Sequence, residues 1–370
     1  MPQSRTLSVG MDGHQDSMAV ADVTHEHHAE VISLGAIGTR PCDSDQRIRN
    51  MPSNSQQLVF VYEAGPWGYW LSRSLTTHGH VCRVVAPSLI PNKAGDRVNT
   101  TRRDAIQWAR LRRSGARTPV DVPQVEDEAI RDLSRAREEA LRDLQTAKPR
   151  LTAVLLRHAI RSTGQATWGP AHRRWLREVV CPTPAQHIVF QEDVRAVTAH
   201  SDRLGRREQA LQDRVQTWRL RPVVDALQAR RGVPCTVAVT SVAALGNLTR
   251  VDKPSQLMRD LGLPPSESST GDHRRPGALT NTGHAHARRP RIDGAWAYRY
   301  PAQVSRHLPW PLEQRPTAVQ AMRWKAPVRL GTRSRHLSAR GTHAHRGVVA
   351  SARALRAFLG AMAPQVPVTP

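Results

Sequence analysis

The chain has 370 residues, enough for two or three domains, and carries 54 Lys+Arg against 31 Asp+Glu, a formal net charge of +23. Only four of the basic residues are Lys (Lys93, Lys148, Lys253 and Lys325); the rest are Arg, whose planar fork matches phosphate oxygens, so a nucleic-acid partner is expected. The most span-like charge-poor stretch, near Pro234–Leu248, falls short of the ~20 apolar residues that a membrane span needs. The N-terminal segment lacks a signal-peptide core, and the four cysteines (Cys42, Cys82, Cys181, Cys235) form no CxxC pair, so a reducing cytoplasm, close to the nucleoid, is the expected location.

In chain order, Thr6–Met11 and Ser17–Val23 read as short strands, and His25–Ala29 as the turn before a third, Glu30–Ile37. Leu58–Tyr62 is a continuous apolar run of the kind buried in a sheet. Gly65-Pro66 then suits a helix start, with Trp67, Trp70, Leu71 and Leu75 at helical spacing on its core side. His80–Ala86 supplies another strand and Arg102–Arg113 a helix. Three strands, a helix, a strand and then helical segments is the order of a ribonuclease-H-like domain. From Val125 the period changes. Ile130, Leu133, Ala136, Ala140, Leu144, Ala147, Leu151 and Val154 form a three/four-spaced stripe, the mark of a long amphipathic helix that Pro149 should kink or split. A second helical stretch covers about Gln191–Arg231, so that the pair reads as a helical hairpin, a coiled-coil arm or a plain helical subdomain. After Gly232 the pattern is mixed, and Gly271–Pro370 holds 17 Lys+Arg against three acids, the expected phosphate-contacting surface. The fold class expected is α/β plus α. The boundaries are residues 5–118 for the α/β domain, 119–231 for the arm, 232–300 for a serine-containing domain and 301–370 for a basic helical tail.

Three carboxylates stand out in the first domain. Asp12 follows the first strand, Glu63 ends Leu58–Tyr62, and Asp104 lies in Arg102–Arg113. Acids at the ends of adjacent strands, joined by one from a helix across them, can converge on Mg²⁺ or Mn²⁺ and assist phosphoryl transfer. The surrounding words, VGMDGHQDSMAVADV, VYEAGPWGYWLSRSL and DRVNTTRRDAIQWARL, resemble the three acidic blocks of the DEDD (RuvC-like) transposases of the bridge-RNA-guided "IS one-ten" insertion sequences. Downstream, LGLPPSESSTGDHRRPGALTNTGHAHARR resembles that family's serine-containing transposase domain, and QAMRWKAPVRLGTRSRHLSARG its helical tail. The resemblance thus covers nearly the whole chain. It implies an RNase-H-like domain whose acidic tetrad falls on Asp12, Glu63, residue 101 and Asp104. Residue 101 is Thr, so the third carboxylate is replaced by a neutral oxygen one helical turn from Asp104. Asp16 and Asp96 are nearby in sequence but off the pattern.

A serine hydroxyl needs activation, and cations to hold the phosphate it attacks. The resemblance places the nucleophile at Ser269 in Ser269-Thr270-Gly271, with Ser266 and Ser268 as neighbours that stay open and Thr270 as a weaker candidate; the nearby arginines Arg274, Arg275, Arg288 and Arg289 are the nucleic-acid contacts expected from their charge. It implies a transient 5′-phosphoserine bond to DNA, acids supplied by a partner subunit, a dimer or tetramer of identical chains, and an element-encoded guide RNA. The chain departs from the pattern at Asp272, His273, Asn281 and His284, and Pro290 and Gly294 stand where an unbroken helix is expected, as in an eroded copy. The function expected is therefore a transposase mobilising its own insertion sequence. The alternatives are a catalytically impaired nucleic-acid-binding remnant and a RuvC-like nuclease that works without the serine. His25-Glu26-His27-His28 reads as a solvated turn rather than a metal site, and Gly232–Cys235 as either a backbone-binding turn or the lead into a buried helix. Trp296, Trp310 and Trp324, set among Arg and His, are candidates for base stacking.

Overall fold

The computed structural model describes residues 6–14, 16–24, 29–40, 43, 46, 57–65, 68–86, 100–113, 119–162, 164, 167–228, 232–246, 257–259, 261–300 and 317–362. His25–His28, Trp67, Asp96, Trp310 and the Trp324 side chain lie outside that set. The chain divides into two compact units, Met1–Gln124 and Val125–Pro370.

The first unit is built on five strands: β1 (Thr6–Gly13), β2 (Met18–Thr24), β3 (Ile32–Ile37), β4 (Gln57–Glu63) and β5 (Val81–Val85). They are ordered β3-β2-β1-β4-β5, antiparallel on the β1–β2–β3 side and parallel on the β1–β4–β5 side. Side chains alternate across a strand, so the apolar runs sort themselves by parity. Leu7, Val9, Met11, Leu58, Phe60 and Tyr62 pack in one cluster with Leu71 and Leu75 of α1 (Trp70–Thr77), to which Trp70 also contributes. The opposite face carries Ser8, Gly10 and Asp12 on β1 and Val59, Val61 and Glu63 on β4. It is covered by α2 (Thr101–Arg113) through Ala105, Trp108 and Ala109.

Gly10 sets how closely α2 sits. A Cβ at this position would lie 2.2 Å from the Ala105 carbonyl oxygen and 2.5 Å from the Ala109 nitrogen. Backbone therefore packs on backbone, with small residues on the helix side of the contact.

The second unit begins with α3 (Val125–Arg157), paired antiparallel with α5 (Pro184–Thr217). Asp127–Arg219, Arg137–Glu208 and Asp143–Arg203 form ion pairs along this hairpin, as far out as 3.4 Å for the last. Pro149 neither splits nor ends α3. Its ring and the carbonyl at Gln145 that it deprives of a donor are on the exposed side, while Leu144, Ala147 and Leu151 stay buried. The second helix starts earlier than its apolar stripe suggests. Thr183 and Gln186 form a reciprocal capping box, with Pro184 in the first turn. It also stops at Trp218, whose indole donates to the buried Asp127 at 2.9 Å, and the chain restarts as α6 (Arg221–Gln228). Between them α3 and α5 hold α4 (Pro170–Glu178) at one end.

The buried helix α7 (Cys235–Leu245) packs on α3, where the Ser134 and Thr240 hydroxyls meet at 2.9 Å and Arg131 Nε donates to the Ala243 carbonyl at 2.8 Å. The stretch after Gly232 is thus a core helix. A short hairpin, β6 (Pro265–Glu267) and β7 (Pro276–Leu279), leads into α8 (Ala285–Ala295), a 3₁₀ turn at Trp296–Arg299, α9 (Thr317–Ala339) and α10 (Ala344–Met362). Pro290 and Gly294 do not interrupt α8. Gly294 has a packing role, since a Cβ there would lie 2.5 Å from the Gly232 carbonyl oxygen.

Adding a methyl at residue 10 must push α2 off the sheet. Gly10→Ala is expected to cost about 1–3 kcal/mol, the usual penalty of overpacking. Urea unfolding followed by Trp fluorescence checks this; an unchanged midpoint would show that α2 is not seated on β1.

Candidate functional site

Strand parity and register bring the first-unit acids together. Met11 pairs with Tyr62 in the parallel β1–β4 ladder, so the next residues, Asp12 and Glu63, end neighbouring strands on the α2 face. Asp104 lies in the first turn of α2, next to Ala105, which faces the sheet. The electrostatics report the convergence. Burial, and then the Asp104 carboxylate, push Asp12 up to about 6, against a smaller opposing effect of His14. Glu63 is raised by burial and then by Asp12 and Asp104. His14 Nε2 stands 3.9 Å from Asp12 Oδ2. Three half-buried carboxylates thus lie within electrostatic reach of one another, and carboxylate oxygen is the donor chemistry that Mg²⁺ or Mn²⁺ prefers. Among the described residues, no group of three or more His, Cys, Asp or Glu is spaced to hold a metal ion as it stands. Thr101 opens α2 and is half-buried, while Asp16 is exposed in the β1–β2 turn.

The serine block forms the hairpin. Ser268 N donates to Arg275 O at 3.0 Å, and Thr270 and His273 exchange backbone hydrogen bonds, which leaves Gly271-Asp272 at the exposed tip. Ser266 Oγ is turned back to the Ala278 carbonyl at 3.1 Å. Ser269 is exposed, and its Oγ donates to Glu267 Oε1 at 2.8 Å. The other Glu267 oxygen takes Arg274 Nη2 at 3.1 Å. These two contacts, the serine's first, hold Glu267 below the usual carboxylate range. Glu267 is the residue that sequence reasoning passed over. It ends β6, two residues before Ser269, and only the path of the hairpin brings the two side chains together.

The four arginines expected to touch nucleic acid are differently placed. Arg274 is paired with Glu267, and Arg275 is exposed. Arg288 donates to the Leu261 carbonyl at 3.1 Å, and Arg289 reaches Glu138 at 3.4 Å. Glu138 also takes His286 at 2.7 Å and Arg142 at 2.9 Å. Burial alone would raise it, but these hydrogen bonds keep it below the usual range. His284 caps α8, its Nδ1 accepting from the Ala287 amide at 3.3 Å. Burial, then the nearby Arg135, Arg131 and His286, lower it to about 4. A neutral ring therefore does what an Asn carbonyl does at a helix start. Trp296 is half-buried, with His345 at its edge (5.1 Å between ring centroids) and the Arg299 guanidinium 5.1 Å from its centroid. No helix among the described residues is long and apolar enough to cross a membrane.

Two relatives span almost all of the chain. A protein of Sinorhizobium fredii named "Putative transposase y4qE" is 38% identical over 359 residues, 97% of this chain and 89% of the relative. The "Transposase for insertion sequence element IS1533" of Leptospira borgpetersenii is 28% identical over 341 residues, 90% of this chain and 97% of the relative. Residues 224–307, which include the serine hairpin and α8, match the family model described as Transposase IS116/IS110/IS902 family.

Two pH dependences of opposite sign follow. The folded Asp12 keeps a proton up to about pH 6, whereas the unfolded chain loses it near 3.8, so its contribution to stability grows as pH falls through that window. Asp12→Asn is expected to raise the melting temperature at pH 7.5 and to abolish that part of the acid-side gain. For His284 the folded value lies below the unfolded one, so the stability it allows is present above pH 6.5 and is lost toward pH 4. His284→Asn keeps the cap and should remove a loss of up to about 3 kcal/mol. Melting curves of wild type and both variants from pH 4 to 8 check the two signs.

Proposed function

The chain belongs to the IS116/IS110/IS902 transposase family, and from that premise we propose that it moves an insertion sequence by DNA recombination, with an acidic metal site in an RNase-H-like first unit and Ser269 as nucleophile. The observation that carries this reading is the gathering of Asp12, Glu63 and Asp104 on one face against their mutual repulsion. These are the residues that would hold Mg²⁺, or Mn²⁺ in its place. Such an ion, when bound, supplies positive charge against the charge that develops on transferring phosphoryl oxygens.

The rest is done by the chain's own groups. Glu267 orients the Ser269 hydroxyl. As the Oγ–P bond forms, the P–O3′ bond breaks; the proton lost by Ser269 is matched by the one gained by the departing 3′-oxygen. The product is a 5′-phosphoserine that keeps the phosphodiester energy for rejoining. Arg274 is bound to Glu267 until a phosphate competes for it, and Arg275 is exposed where it can meet the DNA backbone. The reading includes DNA ends and target as substrates, a guide RNA encoded by the element, and a homo-oligomer, all three taken from the resemblance.

A second reading, a remnant that binds nucleic acid without cutting it, is favoured by Thr101 at the third acidic position. A denaturing gel that looks for a covalent protein–DNA adduct, with element-junction DNA, the flanking RNA and Mg²⁺, separates the two. An adduct in wild type that disappears in Ser269→Ala supports recombination through the serine. Glu267→Ala should then slow its formation at least tenfold. An adduct only in Thr101→Asp supports the remnant. Cleavage that survives Ser269→Ala and is lost in Asp12→Ala would instead mean a nuclease.

A further inference from the structure

The helical arm holds a cavity of about 170 Å³ among α3, α4 and α5, outside residues 224–307 and away from both the acids and the serine hairpin in sequence. Its floor is apolar, with Leu151 and Leu176 buried beneath it. One wall is the indole of Trp168. This residue sits at φ +67°, a left-handed conformation that a bulky side chain rarely takes. Lys148 Nζ lies 5.1 Å from the Trp168 ring centroid. Behind the indole, His172 stands with its ring 5.2 Å from Trp168 and 5.2 Å from Trp175. The His172 Nδ1 atom is buried with no hydrogen-bond partner among the described residues. Arg173 and Arg177 join Lys148 around the cavity, and Ser201 and Asp202 give it a polar edge.

This is a mixed demand on a ligand. An aliphatic molecule would leave three cations against the single carboxylate of Asp202, and a simple anion would leave the indole and the apolar floor uncovered. A flat heteroaromatic ring with an attached phosphate satisfies both. We infer that the cavity takes one unpaired base of a single-stranded nucleic acid. The base stacks on Trp168 in place of the Lys148 ammonium, which turns to the phosphate, while Arg173 and Arg177 neutralise the flanking backbone. Arg174 extends the cationic surface of α4, whose only acid is Glu178. A duplex keeps its bases stacked inside and cannot fill the cavity. The site is independent of catalysis and is tested without it.

The experiment uses the full chain and fluorescein-labelled oligo(U), oligo(dT) and a duplex of equal length, with binding read by anisotropy at fixed salt. Trp168→Ala is expected to weaken single-strand binding by about tenfold to a hundredfold, Trp168→Phe to restore most of it, and duplex binding to stay within twofold. Ser201→Trp fills the cavity without removing a packing residue and should give the same selective loss, with an unchanged thermal melt showing that the arm is folded. An oligonucleotide carrying 4-thiouridine should photocross-link to the peptide that contains Trp168. Selective loss with oligo(U), with oligo(dT) or with both supports the site and tells which strand it takes. Loss with neither, or equal loss on the duplex, overturns it.

Discussion

The missing side chain at Gly10 is the constraint on which the first unit depends. A five-stranded sheet with a helix over it can be built at many separations, but only backbone contact brings the first turn of α2 down to the ends of β1 and β4. With a Cβ in the way, 2.2 Å from the Ala105 carbonyl oxygen, α2 rises and Asp104 leaves the neighbourhood of Asp12. The alternation of β1 then does the rest: Ser8, Gly10 and Asp12 share a face, so the residue that admits the helix and the residue that meets its acid lie two apart. The second unit uses the same device. Gly232 and Gly294 let the chain before α7 touch α8, and the seating of α8 in turn places the His284 cap and the Glu138–His286 contact.

The arm is ordered by charge rather than by small residues. Asp127 is buried yet fully engaged, accepting from the Trp218 indole and from the Arg219 guanidinium. Such a pair does little for net stability compared with apolar residues of the same shape, but it is exacting about register. It fixes where α5 must stop, because Trp218 has to leave the helix to reach across to α3. The ion pairs farther out, Arg137–Glu208 and Asp143–Arg203, lie at successive levels of the same antiparallel alignment and keep the two long helices from sliding.

Much of this was legible from the residues. The strands of the first unit and α2 fall within two residues of where apolar runs and turns put them, because buried parallel strands are written as uninterrupted apolar stretches. The three acids could be picked out by their places at strand ends and in a helix. What could not be read was anything that depends on which face meets a neighbour. Pro149 looked like a break because a sequence does not say that its side of the helix is wetted. Gly294 looked like erosion because its partner, Gly232, is far away in the chain. The start of α5 was written in Thr183-Pro184-Ala185-Gln186, but the apolar stripe that follows drew the eye further on. Glu267 was hidden in plain view among serines, since its role appears only when the hairpin turns its side chain toward Ser269.

The same reasoning changes how Thr101 reads. Asp12 and Glu63 are already raised by burial and by neighbouring charge, so a further carboxylate in the opening turn of α2 would increase the repulsion that the fold must bear. The helix N-terminus offsets part of that repulsion for Asp104, but the offset fades within the first turn and is shared by every anion placed there. A threonine at this position relieves the strain and leaves an oxygen that can still face a cation. What it gives up is charge: a hard divalent ion is held against dehydration mainly by anionic ligands, and each one lost weakens the hold. On the proposed reading Thr101 therefore moves the first unit toward a stable fold without metal and away from tight metal binding, the usual opposition between stability and a charged active site. Erosion and adaptation would both begin with this exchange. On the proposed reading they part at the serine hairpin, where Ser269 donates to Glu267 and Glu267 pairs with Arg274, an arrangement that folding alone does not require of three exposed side chains.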